Sequence, residues 1–366
     1  MRVLLINSVC GTGSTGKICA EIAEKYEAEG YEVKIAYGRH SYVPEKYQKY
    51  AVQIGTDKDV KLHALYTRIT DRHGLASKKA TRKFLEWAEE YNPDLVWLHN
   101  IHGYYINYEM LFSWIKKHPK MQVKWTLHDC WTFTGHCPYF DMAGCDRWKT
   151  QCYNCPAKKR YPASNILDNS SDNYRRKKKA FTGVENMKII TPSKWLANLV
   201  KESYLKCYPV EVIYNTVDTD TFKPTGSKFK ESYNLTGKKI ILGVANVWDE
   251  RKGFYDFLKL AKLLPEDYAI VLVGLQEKQL KNLPHNIIGI MRTNGQKELA
   301  EIYTAADVFV NLTYEDTYPT VNLEARACGT PVITYRTGGS VESVEPDNII
   351  EVGDVVGLCE KIKENV

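Results

Sequence analysis

No stretch of this 366-residue chain holds the roughly 18–20 consecutive apolar residues that a helix needs to cross a bilayer. The opening run, Met1 to Asn7, is short and strand-like and has no signal-peptide layout. A cytoplasmic protein is expected, peripheral at most at the inner face of the membrane. Charge of one sign is scarce too. A formal net charge of +6 suits an anionic ligand or an anionic membrane surface and demands neither. A strong basic stripe with interleaved aromatics, the mark of a nucleic-acid binder, is missing. Repeats and low-complexity tracts are missing as well. The phosphate-binding fingerprints are incomplete. Gly11, Gly13 and Gly16 lie in C-G-T-G-S-T-G-K, which is not G-x-G-x-x-G, and Ile18 stands where a P-loop needs Ser or Thr. Ten cysteines in a reducing compartment are not expected to pair as disulfides.

What is present is enough chain for two domains, with a hydrophobic share of 44% to build their cores. Strand-like runs alternate with helical periods, the pattern of α/β domains with parallel sheets. Arg2 to Asn7 reads as a strand, followed by the glycine turn, a helix from about Thr15 to Glu29, and a strand from Glu32 to Gly38. Val43 to Lys79 is polar and reads as irregular. P-D-L-V-W-L-H-N is a continuous apolar run suited to a buried parallel strand. His99, Asn100, His102 and Tyr104 crowd its carboxyl end, where open α/β sheets bind ligands. Gln122 to His128 is another strand. Near residue 215 the βα pattern restarts, giving domains of 1–214 and 215–366.

The second half is organised around Asn311 to Thr334. An apolar run, Asp307 to Leu312, reads as a buried strand, and Tyr314 to Tyr318 as a polar turn. Pro319 suits the first position of a helix, Thr320 to Cys328 continue it, and Gly329 stops it. The free N–H groups near Thr320 and Val321 make that helix start an anion site. Asp316 lies before it, and Glu324 about one turn inside it. Carboxylates accept hydrogen bonds from sugar hydroxyls. A phosphate flanked by hydroxyl-bearing groups describes a nucleotide diphosphate sugar. An ordinary βαβ unit with a capped helix and surface acids is the plainer alternative. Arg251 and Lys252, in N-V-W-D-E-R-K-G, sit at a strand-to-helix turn that faces the same sheet edge, where cations can clamp a diphosphate.

E-A-R-A-C-G-T-P-V-I closely resembles the signature of family 4 retaining glycosyltransferases, in which a Glu precedes Glu-Ala by seven residues. Here Asp316 takes the place of that first Glu, with Glu315 beside it. I-Y-N-T-V-D-T-D-T-F resembles the family's turn into its second domain, and Gly338, Gly339 and Ser340 its loop after the signature helix. The resemblance implies the GT-B fold: two facing Rossmann-like domains with a cleft between them and a Cys-rich loop in the first. It implies transfer of a hexose with retention, without a catalytic metal, from a UDP- or GDP-linked sugar to a saccharide acceptor, lipid-linked in cell-surface polysaccharide synthesis. It gives His128 a contact with the donor sugar near the reacting carbon, and Gly13 and Gly16 a place beside acceptor and donor phosphates. Asp316, Glu324, Arg251 and Lys252 complete the expected catalytic set. Asn246, Glu315, Thr317, Tyr318, Pro319, Thr320 and Val321 join the donor site, and His99, Asn100, His102 and Tyr104 the acceptor site.

Cys137, Cys145, Cys152 and Cys155 fall in C-x7-C-x6-C-x2-C, ending in Cys-Pro. The closing C-x-x-C is a common zinc-knuckle spacing, and a structural zinc held by the four would pin a loop that lacks a core of its own. Free thiols, a disulfide framework or a redox pair remain alternatives. H-D-C-W-T-F-T-G-H-C together with these cysteines resembles an exopolysaccharide-synthesis branch of the same family. The basic runs Lys158 to Arg160 and Arg175 to Lys179 read as solvated faces or as contacts with anionic lipid. A sugar-nucleotide epimerase or dehydrogenase on similar domains stays open, as does a zinc-containing nucleic-acid binder, although no nucleic-acid partner is expected.

Overall fold

The computed structural model describes residues 1–39 and 42–366. The chain divides into two compact units, Met1–Ile213 and Tyr214–Val366.

The first unit is built on a seven-stranded, all-parallel sheet: β1 (Arg2–Ile6), β2 (Glu32–Tyr37), β3 (Ala51–Gln53), β4 (Leu95–Leu98), β5 (Gln122–Thr126), β6 (Met187–Thr191) and β7 (Val210–Val212), in the order β3-β2-β1-β4-β5-β6-β7. Helices α1 (Gly13–Ala28), α2 (Asp57–Thr70), α3 (Lys78–Tyr91), α4 (Tyr108–Lys116), α5 (Ser170–Phe181) and α6 (Lys194–Glu202) accompany it. The apolar runs follow from burial on both faces. Val3 and Leu5 join one core cluster, with Cys19, Ala20 and Ala23 of α1, while Leu4 and Ile6 join the opposite one, with Leu111 and Phe112 of α4. At roughly 1.5–3 kcal/mol for each large apolar side chain removed from water, β1 alone anchors both layers.

The second unit repeats the plan. Its strands are β8 (Lys239–Val244), β9 (Tyr268–Val273), β10 (Ile287–Ile290), β11 (Val308–Asn311), β12 (Val332–Tyr335) and β13 (Ile349–Ile350), again all parallel, in the order β10-β9-β8-β11-β12-β13. Its helices are α7 (Phe229–Ser232), α8 (Phe254–Leu260), α9 (Glu277–Leu280), α10 (Gln296–Ala305), α11 (Thr320–Ala327) and α12 (Val355–Asn365). Alternation again splits strand residues between two layers: Ile270 and Leu272 of β9 face one core, Val271 and Val273 the other. In each unit the strand order reverses once, between β1 and β4 and between β8 and β11. The carboxyl ends of strands flanking such a reversal are where doubly wound sheets bind ligands.

Three expectations need correction. Val43 to Lys79 is not irregular, since it holds β3 and α2. Helix α2 opens with a reciprocal capping box, Thr56 accepting from the Asp59 N–H while the Asp59 carboxylate accepts from that of Thr56. Only His63 and Thr67 of α2 are buried; Val60 packs against the core, while Leu62, Leu65, Tyr66 and Ile69 face outward. The Arg175 to Lys179 run is only in part a solvated face: Arg175, Lys178 and Lys179 are exposed, and Lys177 is not. It belongs to α5, where Lys177 is 1% exposed and lies over the Trp131 ring, 3.5 Å from its centroid. Arg176 makes a two-pronged bond to Glu109, at 2.9 and 2.8 Å. The span from Lys223 to Gly237, whose polar residues with Pro224, Gly226 and Gly237 read as a linker in the sequence, packs Phe229 and Leu235 into the core of the second unit. Among the described residues, no helix is long and apolar enough to cross a membrane.

Candidate active site

In the second unit, β8 delivers Asn246, Arg251 and Lys252 in the loop that leads to α8, and β11 delivers the acidic turn that leads to α11. The two loops are laced together. The Tyr314 N–H donates to the Arg251 carbonyl at 2.8 Å, and the Arg251 guanidinium donates to the Glu315 carbonyl at 3.1 Å. The Lys252 ammonium meets Asp316 Oδ2 at 2.7 Å, with the two side chains 20% and 14% exposed. The other Asp316 oxygen accepts the Tyr318 N–H at 3.3 Å. Of the two adjacent acids, then, Asp316 faces the cation, while Glu315 is turned into the unit and buried. Thr317, Tyr318 and Pro319 are also buried, and Asn246 is exposed.

Gly338 and Gly339 follow β12 and press on the same turn. The Gly339 N–H donates to the Asp316 carbonyl at 3.1 Å. Gly338 has φ +49°, and a Cβ on it would stand 2.0 Å from that carbonyl oxygen, so a side chain there would push the acid away.

Helix α11 starts one residue later than expected. Pro319 is the residue before the helix, at φ −71° and ψ 120°, and no side chain caps the first turn. Thr320 and Val321 open the helix. At the other end, Gly329 (φ +82°) completes a Schellman turn: Thr330 N–H to Ala325 carbonyl and Gly329 N–H to Arg326 carbonyl, both 3.0 Å. Glu324 is half-buried, and its Oε2 accepts from the Tyr303 hydroxyl at 3.0 Å. Beneath the helix lies a polar network with no counterpart in the sequence reading. Asn322, fully buried, accepts from Asn311 at 2.8 Å and donates to Ser343 at 2.8 Å. Thr334 and Ser340 bond each other at 2.7 Å. These groups tie β11, β12, α11 and the glycine loop into one frame. Asn311 and Asn322 were visible in the signature stretch and Ser340 in the glycine loop after it, but nothing in the sequence pairs them.

In the first unit, the loops after β4 and β5 meet. His99 Nδ1 lies 3.0 Å from His128 Nε2, with the rings stacked at 5.3 Å. His102 pairs with Asp129 at 2.9 Å. Burial pushes the His128 pKa down to about 4 and that of His99 well below its ordinary value. Burial works to raise the pKa of Asp129, but His102 and the Trp131 N–H outweigh it and leave it lowered. A neutral His pair therefore stands beside a carboxylate. Asn100 lies in the same loop, and its N–H donates to Asn7 Oδ1 at 3.2 Å, which ties the ends of β1 and β4 together. Tyr104, at φ +71°, packs 4.7 Å from the ring of His73. His73 also lies 5.4 Å from Trp131 and 5.7 Å from Tyr161. His73 and Tyr161 were missed, because the rings of Tyr104 and Trp131 that His73 meets, and the His73 and Tyr104 rings that Tyr161 meets, are far from them in the chain. Gly13 and Gly16 lie at the start of α1 in this unit, and a Cβ on Gly16 would meet Val9 at 2.9 Å.

The sequence profile described as Glycosyltransferase Family 4 matches residues 15–221, and that of Glycosyl transferases group 1 matches residues 227–365. The chain belongs to glycosyltransferase family 4. Among curated relatives, it is 26% identical over 264 residues to WcaC of Escherichia coli (strain K12), a glycosyl transferase named for colanic acid biosynthesis. The match covers 69% of this chain and 62% of that protein, less than two thirds of its length. Among solved structures, sucrose-phosphate synthase of Thermosynechococcus elongatus aligns with a TM-score of 0.68 at 16% identity, over 99% of this chain and 89% of that one. HepE of Anabaena, solved in complex with UDP-glucose, aligns with a TM-score of 0.65 at 15% identity, over 100% and 89%. These likenesses show the fold: two parallel-sheet α/β domains of the GT-B type, as the signature helix led one to expect.

Proposed function

We propose that this chain transfers a hexose, with retention at the anomeric carbon, from a UDP- or GDP-linked sugar to a saccharide acceptor that is lipid-linked in cell-surface polysaccharide synthesis. The observation that carries the reading is the convergence of Arg251, Lys252, Asp316, Glu324 and the uncapped start of α11 on one sheet edge at the strand-order reversal. The diphosphate occupies the helix start, and Lys252 moves from Asp316 to the phosphates. That exchange frees a carboxylate to accept sugar hydroxyls as the ammonium is engaged. Glu324, held by Tyr303, accepts the ribose hydroxyls. Catalysis is positioning together with stabilisation of charge on the departing diphosphate. His128 keeps its family role beside the transferred sugar, and the polar loop from His99 to Tyr104 takes the acceptor. A neutral His99–His128 pair fits a hydrogen-bonding rather than a charged role.

A lipid-linked acceptor brings the protein to a membrane, and α2 offers the surface. Leu62, Leu65, Tyr66 and Ile69 are all exposed at helical spacing, and Ile166 and Leu167 extend the patch. The Leu167 N–H donates to the Ile69 carbonyl at 3.2 Å, which fixes that loop against α2. Lys61, Arg68 and Lys159 are exposed around it. Apolar residues flanked by cations suit an anionic bilayer surface.

Calorimetry with UDP, GDP and their glucose conjugates tests the donor reading. Glu324→Gln should weaken the free nucleotide and the sugar nucleotide alike, by roughly ten- to a hundredfold, the value of a hydrogen bond to a charged group. If Glu324→Gln, Arg251→Met and Lys252→Met all leave nucleotide binding unchanged, the donor assignment fails.

A further inference from the structure

The stretch after β5 packs Trp131, Phe133, Phe140 and Trp148 into the core of the first unit, and four cysteines meet beside them. Cys137, Cys145, Cys152 and Cys155 line one cavity with room for about one water-sized sphere, roughly 10 Å³. Phe140 and Trp148, stacked at 4.9 Å, are also in its wall. The backbone already points donors at sulfur. The Gly135 N–H donates to Cys152 Sγ at 3.2 Å, and the Ala157 N–H to the Cys155 sulfur. The Cys137 and Cys155 thiols are hydrogen-bonded to each other. Arg147 clasps the Cys152–Cys155 turn through the carbonyls of Tyr153 and Asn154, at 2.8 and 2.6 Å.

A second, independent feature lies alongside. The buried ammonium of Lys177 donates only to carbonyls, of Trp131 at 2.7 Å and Thr134 at 3.2 Å. Among the described residues it has no carboxylate within ion-pair distance, and Cys152 and Cys137 lead the groups whose negative charge would act on it. A buried cation without a counter-charge is costly, and burial accordingly pushes the Lys177 pKa down to about 7. Four neutral thiols do not offset that cost, whereas a negative centre would.

We propose that Cys137, Cys145, Cys152 and Cys155 hold one structural zinc ion in the first unit. Among the described residues, no three metal-ligating side chains already stand at metal-holding spacing. Binding therefore turns the thiols inward into the cavity they share. Zn²⁺ displaces four protons and leaves a centre of net charge −2, with no change of oxidation state. Lys177 neutralises part of that charge, and the N–H donors stabilise the thiolates. The ion cross-links the loop between Cys137 and Cys155 where its aromatic core meets the surface. The assignment stands apart from the donor reading: loss of zinc leaves the second unit's nucleotide site intact.

The full chain, purified under reducing conditions without chelator or added metal, should carry about one zinc per molecule by elemental analysis, as a closed four-thiolate site would. Cobalt exchange should produce the visible bands of a tetrahedral thiolate complex. Cys152→Ser should lower zinc content to well under half and the melting temperature by several degrees, while Cys207→Ser, at an exposed thiol outside the cluster, should keep both. Should Cys152→Ser fail to fold, the wild-type cobalt spectrum still decides. Full-length protein with neither zinc nor a cobalt–thiolate spectrum, and with a melting temperature indifferent to added zinc, overturns the proposal. So does a Cys137–Cys155 disulfide found by mass spectrometry in the folded protein.

Discussion

Asp316→Asn separates the two jobs assigned to the acidic turn. Asparagine keeps the shape, and its carbonyl oxygen can still accept the Tyr318 N–H. What it loses is the charge 2.7 Å from Lys252. The pair is mostly buried, so the stability cost falls between that of an exposed pair, up to about 1 kcal/mol, and the roughly 3–5 kcal/mol of breaking a fully buried one. A loss of about 1–2 kcal/mol should lower the melting temperature by about 2–8 °C. Binding should move the other way. In the wild type, Lys252 must leave Asp316 to reach a phosphate. In the variant it need not, so free UDP should bind as well as before or up to about tenfold tighter. The sugar step should suffer, because a charged acceptor of hydroxyl bonds is worth about 1.5–3 kcal/mol. Transfer from the sugar nucleotide should therefore fall by roughly ten- to a hundredfold in kcat, with little change in KM. Calorimetry with UDP and UDP-glucose, alongside steady-state rates, reads all three effects. Lys252→Met is the control and should weaken UDP outright. If Asp316→Asn weakens UDP as much as Lys252→Met does, the pair is a structural strut and the exchange of partners is wrong.

Two further outcomes can be checked. His63 is 1% exposed; its Nδ1 pairs with Ser77 at 2.9 Å, and its Nε2 accepts the N–H groups of Gly74 and Ala76. Burial pushes its pKa down to about 4, against about 6.5 when unfolded. Because the unfolded chain binds the extra proton first, this stability is full above pH 6.5 and fades as pH falls toward 4, by about 2 kcal/mol at pH 5. Melting temperatures from pH 7.5 to 5 should show a shallower acid slope for His63→Gln, and equal slopes would refute the argument. On the membrane side, Leu65→Asp with Ile69→Asp should abolish sedimentation with anionic vesicles, whereas Arg175→Gln should not. Unchanged vesicle binding by the double variant removes α2 from that role.

Much of the fold was legible in the linear sequence because parallel strands covered on both faces are continuous apolar runs. Val96 to Leu98 and Val271 to Val273 could hardly be anything else. Gly329 and Gly338 carried local backbone demands that a sequence states directly. The signature helix announced the family for the same reason: its residues are near neighbours in the chain. Helix α2 was overlooked although Leu62, Leu65, Tyr66 and Ile69 recur at helical spacing behind a capping box at Thr56 and Asp59; what the sequence did not say is that this stripe faces outward. Lys177 was misread because charge alone does not say which face of a helix is buried, and the Trp131 ring that covers it lies 46 residues away. Tertiary structure alone decided which of Glu315 and Asp316 meets the cation, and it brought the Asn311–Asn322–Ser343 network under α11. The physical reason is the same in each case. Backbone propensity and hydrophobic period act over a few residues, whereas the partner of a buried polar group is set by which strand lies next to which.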